Sequence, residues 1–170
     1  MKITILQFIL FILLFSSCQS NKQIAQLKYQ REQLSQQLGF KVTKKDNLSL
    51  YAEAAKWLGT PYRYGGSTRK GIDCSALVGQ IYLHTYKKKL ERNTQAIANK
   101  NCRKVSKRNL KSGNLVFFNT SKKKKKGVNH VGLFLKNGYF IHASTSKGVI
   151  ISNLQEDYYK KNWKQGGAVK

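Results

Sequence analysis

The chain has 170 residues, with 32 Lys and Arg against 7 Asp and Glu, a formal net charge of +25. That length accommodates one packed domain beside a leader and a spacer, and excludes two domains with separate cores. Such a charge raises nucleic acid as a partner, but the export signal described next argues against it, because the cell envelope supplies carboxylates and phosphates of its own.

Met1-Lys2 is followed by the apolar run Ile3 to Phe15, which is 13 residues long. It has the form of a secretory leader and falls short of the ~20 residues of a bilayer span. Phe15-Ser16-Ser17-Cys18 resembles a lipobox, in which small residues admit the processing peptidase and the cysteine becomes the acylated N-terminus; Phe15 stands where Leu is commoner. The plain alternatives are an ordinary signal peptide with a chance cysteine at its end and an uncleaved anchor. Residues 1–17 are therefore assigned to a signal peptide, and acyl chains on Cys18 would hold the exported chain at a membrane of the bacterial cell envelope. Residues 18–45 are rich in Gln and Lys, with Ile24, Leu27, Leu34 and Leu38 scattered among them. This pattern predicts a weakly helical, solvated spacer.

The packed domain is placed at 46–170. Asp46 or Asn47 can cap a first helix, with Leu50, Tyr51, Ala54, Ala55 and Leu58 at helical spacing and Gly59 as its stop. A breaker-rich loop from Thr60 to Gly66 follows, and a second helix begins at Asp73 or Cys74 and runs through Tyr82. Beyond Gly113 the texture turns to short β-type runs: Leu115 to Phe118, Val131 to Leu135, Tyr139 to Ala143 and Val149 to Ser152. Helices first and strands after predict an α+β domain with an antiparallel sheet.

A thiol at a helix start feels unpaired N–H groups and the positive end of the helix dipole, both of which favour thiolate. Cys74 is thus either a nucleophile or a small buried helix residue. A pair of Cys74 and Cys102 could also form a disulfide in an oxidising compartment. A nucleophile needs a base, and the chain has three histidines. His84 lies ten residues beyond Cys74 on the same helix, about 15 Å along its axis, and is read as a surface or core residue. His130 and His142 flank Lys136-Asn137-Gly138. A two-residue Asn-Gly turn pairing Lys136 with Tyr139 would put these histidines on opposite faces of the sheet. A three-residue loop with Gly138 left-handed would pair Leu135 with Tyr139 and Gly132 with His142, bringing the two rings onto one face as diagonal neighbours roughly 7 to 8 Å apart at the backbone. Histidines with a purely structural place on a sheet face remain the bland alternative.

Gly71-Ile72-Asp73-Cys74-Ser75 followed by Ala76-Leu77-Val78 resembles the nucleophile motif of the NlpC/P60 cysteine peptidases. Gly59-Thr60-Pro61-Tyr62 with Gly65-Gly66, Arg92-Asn93-Thr94, Gly113 to Phe118, His130-Val131-Gly132 and Phe140 to Ser144 match that family's further landmarks in order. The departures are Ala76 for a usual Gly, Glu91 for a frequent Pro and Asn114 for a usual Asp. The resemblance covers roughly 48 to 170. It implies a papain-like α+β domain, with N-terminal helices packed on an antiparallel sheet, that hydrolyses peptide bonds of peptidoglycan stem peptides. Cys74, His130 and His142 would be its catalytic residues, with Tyr62, Asp73 and Ser75 binding substrate. For these last three the alternative is capping or packing. No cofactor or metal is called for: one Cys and two His leave a zinc site without a fourth ligand. The chain is expected to act as a monomer; the basic run Lys122 to Lys126 reads first as a solvated loop, and, being near the presumed cleft mouth, could also steer anionic stems toward Cys74. Acyl transfer or amidase chemistry on the same Cys-His core, and non-catalytic binding to the envelope, are the competing readings.

Overall fold

A computed structural model describes residues 5–121 and 126–170, with residues 5–20 given by their backbone alone. Met1, Lys2 and the lysines at 122–125 lie outside the described residues, and so does the side chain of Cys18. The chain divides into two compact units, residues 1–44 and 45–170.

The first unit is one long helix, α1 (Ile5–Leu38), exposed from Asn21 to Gln30. The spacer is more regular than its scattered apolar residues suggest, because no Gly or Pro interrupts it before Gly39 and Gln, Lys, Leu and Glu are good helix formers. It stops at Gly39, whose φ of +74° is readily adopted only without a Cβ. Among the described residues, no helix is long and apolar enough to cross a membrane.

The second unit opens with α2 (Leu48–Lys56), where the Asn47 side chain accepts the Leu50 N–H at 3.1 Å as the N-cap. A small ribbon of β1 (Ser67–Thr68) and β2 (Gly71–Ile72) leads into α3 (Cys74–Tyr86). His84, on the far part of α3, ties that helix to α2: its Nδ1 lies 2.8 Å from Glu53 Oε1. A single turn, α4 (Thr94–Ala96), continues into a wider turn over Ile97–Asn101. The remainder is a six-stranded antiparallel sheet: β3 (Cys102–Val105), β4 (Leu115–Phe118), β5 (His130–Lys136), β6 (Tyr139–Ser144) and β7 (Gly148–Asn153), then α5 (Asp157–Asn162) and β8 (Trp163–Val169). Its spatial order is β3-β8-β4-β5-β6-β7, so the last strand inserts between β3 and β4.

Helix α3 packs on β5 and β6. On one face of the sheet Val116, Phe118, Phe134 and Phe140 form a buried cluster with Leu154 and the α5 residue Tyr159. The period of two places His130, Gly132 and His142 on that face with Phe134 and Phe140.

The β5–β6 connection departs from both registers the sequence allows. Lys136 pairs with Tyr139 around a tight turn in which Asn137 and Gly138 both have positive φ, +49° and +84°. This is the turn type that by itself would separate the histidines. A bulge between Phe134 and Lys136 absorbs one residue, however, and beyond it Phe134 pairs with Phe140 and Leu133 with Ile141. Gly132 therefore falls opposite His142, and the histidines share a face after all.

Candidate active site

Asp73 is the N-cap of α3 and 6% exposed, and its carboxylate gathers the strands of the site. Oδ1 accepts the Ala76 N–H at 2.8 Å and Oδ2 the Gly65 N–H at 3.0 Å. Arg92 forks onto it, Nη1 to Oδ1 at 2.8 Å and Nη2 to Oδ2 at 2.7 Å. The guanidinium holds this carboxyl below the usual aspartate range, against the upward push of burial. Ser75 Oγ lies 2.9 Å from Asp73 Oδ1 and 2.8 Å from the Arg92 carbonyl oxygen, and receives Arg92 Nη1 at 2.6 Å. Asp73 thus performs the capping role, while Ser75 links it to Arg92 in the wall beside Cys74.

Cys74 is the first residue of α3 and 8% exposed. Its sulfur is met by the backbone N–H groups of Val131 and Ser75, and the Thr94 hydroxyl lies 3.7 Å away. These donors favour thiolate, yet burial outweighs them and raises the thiol above its ordinary value. The thiolate-favouring helix start is therefore not the dominant influence here: the thiol sits in a site with too little water to solvate its anion. Cys102 is a second free thiol, buried in β3 and pushed up to about 11 by that burial. The disulfide alternative does not hold.

The Val131 N–H aimed at the sulfur sets the beginning of β5 alongside Cys74, and His130 is the residue just before it. His130 Nε2 is 2.9 Å from His142 Nδ1, the rings meeting edge to face at 88°. Burial holds both imidazoles neutral, His130 down to about 4 and His142 to about 3, the latter also because of its neighbour. Gly132 makes the pairing possible. A Cβ there would sit 2.7 Å from Phe140 Cδ2 and 3.2 Å from His142 Cβ, so only a hydrogen leaves the rings their room.

The groove over Cys74 encloses about 540 Å³, room for a short peptide. Tyr62, Tyr64, Asp73, Ser75, Arg92 and Thr94 line it, together with Gln95, Val128 and Asn129. His130 and His142 line a second, small hollow together with Tyr158 and Tyr159. The six expected catalytic and substrate-binding residues thus line two concavities, four of them in the groove and the two histidines in the hollow. The structure gives Arg92 of the Arg92-Asn93-Thr94 landmark its place, and adds two residues, Gln95 and Tyr159, that are not apparent from the chain alone. Arg92 orders the wall, and Gln95 Oε1 accepts the Val128 N–H at 2.8 Å and so pins the segment before His130. Tyr159, behind His142, is reached only through tertiary packing.

Residues 59–167 match the sequence model of the NlpC/P60 family. Over 115 residues the chain is 41% identical to the "Murein DD-endopeptidase MepS/Murein LD-carboxypeptidase" of Escherichia coli K12, covering 68% of this chain and 58% of that protein. It is 45% identical over 111 residues to the "Probable endopeptidase NlpC" of the same strain, covering 64% of this chain and 69% of that one. Among solved structures, an NlpC/P60 family protein from Bacillus cereus ATCC 10987 superposes with a TM-score of 0.62 at 26% identity, over 69% of this chain and 38% of its own.

Proposed function

Because the chain belongs to the NlpC/P60 family, we propose that it is a cysteine endopeptidase acting on the stem peptides of peptidoglycan, exported and held at a membrane of the cell envelope by lipid on Cys18. The observation that carries this reading is the 2.9 Å contact between His130 Nε2 and His142 Nδ1, beside a helix-start cysteine at the foot of a groove. The murein endopeptidase names of its relatives point to the same substrate.

With Nε2 engaged by His142, the free nitrogen of His130 is Nδ1. That atom takes the Cys74 proton as the sulfur attacks the scissile carbonyl, so the buried thiol need not ionise beforehand. The Cys74 backbone N–H, unpaired at the helix start, faces the developing oxyanion, and the Tyr62 hydroxyl adds a second donor on the groove wall. His130 then returns the proton to the leaving amine. Water, deprotonated by the same nitrogen, hydrolyses the thioester and restores the thiol.

The test is mass spectrometry of peptidoglycan fragments incubated with the purified chain in detergent, wild type beside Cys74→Ser. New stem-peptide products from the wild type alone support the hydrolase and identify the bond cut. Folded wild type that leaves the fragments intact, yet sediments with the wall, transfers the case to a binding role.

A further inference from the structure

His142 is 2% exposed, and both of its ring nitrogens are engaged. Nδ1 faces His130; Nε2 lies 2.9 Å from the Tyr159 hydroxyl and 3.2 Å from Ser152 Oγ. The two hydroxyls also touch each other, Ser152 donating to the Tyr159 oxygen at 3.3 Å. Both side chains are 7% exposed. Ser152 stands on β7 diagonally across from His142, which pairs with Ile150. The Tyr159 ring is clamped by Phe140 at 4.8 Å and Phe118 at 5.3 Å, which holds its hydroxyl beside the imidazole.

The proton count is decisive. When His130 carries the proton taken from a thiol, both of its nitrogens are donors, so its Nε2–H must find a lone pair on His142 Nδ1. Neutral His142 then keeps its own proton on Nε2, and a buried N–H there requires an acceptor. Among the described residues the oxygens of Tyr159 and Ser152 are the groups at hydrogen-bonding distance. A lysine in their place would donate and force the opposite tautomer, whereas a hydroxyl can accept.

We propose that Tyr159 and Ser152 are positioning residues of the histidine pair: their oxygens receive the Nε2 proton of His142 and keep its Nδ1 lone pair turned toward His130. The consequence for turnover rests on the reading of His130 as the general base; the tautomer itself does not.

The experiment is ¹⁵N imidazole NMR of the full chain at neutral pH, with steady-state kinetics on peptidoglycan fragments, for the wild type, Tyr159→Phe, Ser152→Ala and the double variant. Wild-type His142 is expected to carry its proton on Nε2, each single variant to retain that signature through the remaining hydroxyl, and the double variant to lose it. The double variant should lower kcat by ~10- to 100-fold with KM within about twofold, and the single variants by less. Tyr159→Phe keeps the ring in the aromatic cluster, so the single variants remain informative where the double one unfolds: a kcat loss in both, with KM held, supports the assignment. A wild-type proton on Nδ1, a double variant with unaltered tautomer, or folded single and double variants with wild-type kcat would each overturn it. A tautomer shift in the double variant of a chain that cleaves no fragment would leave the positioning role standing and remove the endopeptidase.

Discussion

The fully buried Tyr51 of α2 donates its hydroxyl to the carbonyl oxygen of Leu135 at 2.9 Å. Leu135 is the residue at the β5 bulge, between the Phe134 and Lys136 pairings. The extra residue of a bulge leaves the ladder, and its carbonyl needs a partner from elsewhere. A helix remote in sequence thus stabilises the register that sets His130 and His142 on one face. Burial keeps the phenol protonated, pushed up to about 12, and so able to donate. Tyr51→Phe should cost about 1–3 kcal/mol by stranding this carbonyl, measured by denaturant unfolding. Kinetics should show a fall in kcat if the register loosens; unchanged stability would mean that water replaces the hydroxyl.

Gly132 makes a sharper case. An alanine methyl would lie 2.9 Å from the Ile141 carbonyl oxygen, a backbone atom that cannot swing aside, as well as against Phe140. Gly132→Ala should destabilise the fold by about 1–3 kcal/mol through overpacking. It should also lower kcat on the order of 100-fold by displacing His142 from His130. Thermal melts beside turnover measure both, and full activity would show that the strands separate without cost to the pair.

The pH response follows from burial. As the proposed general base, His130 must be neutral to accept a proton, and its folded value is held down to about 4, so kcat/KM should persist below the ordinary histidine value of 6.5 and fall only as pH approaches 4. Stability moves with the same sign. As pH drops below 6.5 the unfolded chain protonates both rings while the folded one does not, so unfolding free energy decreases from pH 6.5 down to about 4 through His130 and on to about 3 through His142. His142→Gln should flatten that slope in urea titrations across the window. An acid limb near 6.5 would mean that His130 is solvated in the working enzyme.

Arg92 holds Asp73 through two parallel bonds and reaches the Gly66 carbonyl at 3.1 Å, joining the loop before α3 to the groove wall. Lysine keeps the charge and loses the fork. Arg92→Lys should therefore loosen the Gly65–Gly66 loop and raise KM by ~10-fold with a smaller change in kcat. An equal fall in kcat and kcat/KM would instead place the effect on the transition state.

Much of this site is legible along the chain because its parts are local. Asp73 before an apolar helical run announces a cap, and a cysteine one residue later sits at the helix start. Apolar runs between glycines mark β4 to β7, since alternation and turn residues act over a few positions. The family resemblance adds the order of the landmarks. By contrast, β8 escapes this reading: Trp163-Lys164-Gln165-Gly166-Gly167 has the texture of a loop. It is a strand because its glycines lie where side chains cannot fit, Gly167 against Phe117 and Cys102 and Gly166 against Val105 and Leu110.

What the sequence determined by itself is a helix that presents Cys74 at its start, a set of antiparallel strands, and two histidines whose spacing permits one face or two. The choice between those two states belonged to the tertiary structure. A one-residue slip moves every side chain across the sheet, and nothing local to the Asn-Gly turn prevents it. The bulge at Leu135, held by a phenol on α2, does. The same holds for the tautomer of His142, set by Tyr159 and Ser152 from beyond the strands that carry the histidines, since a buried imidazole takes its protonation pattern from whichever neighbours the packing brings to it.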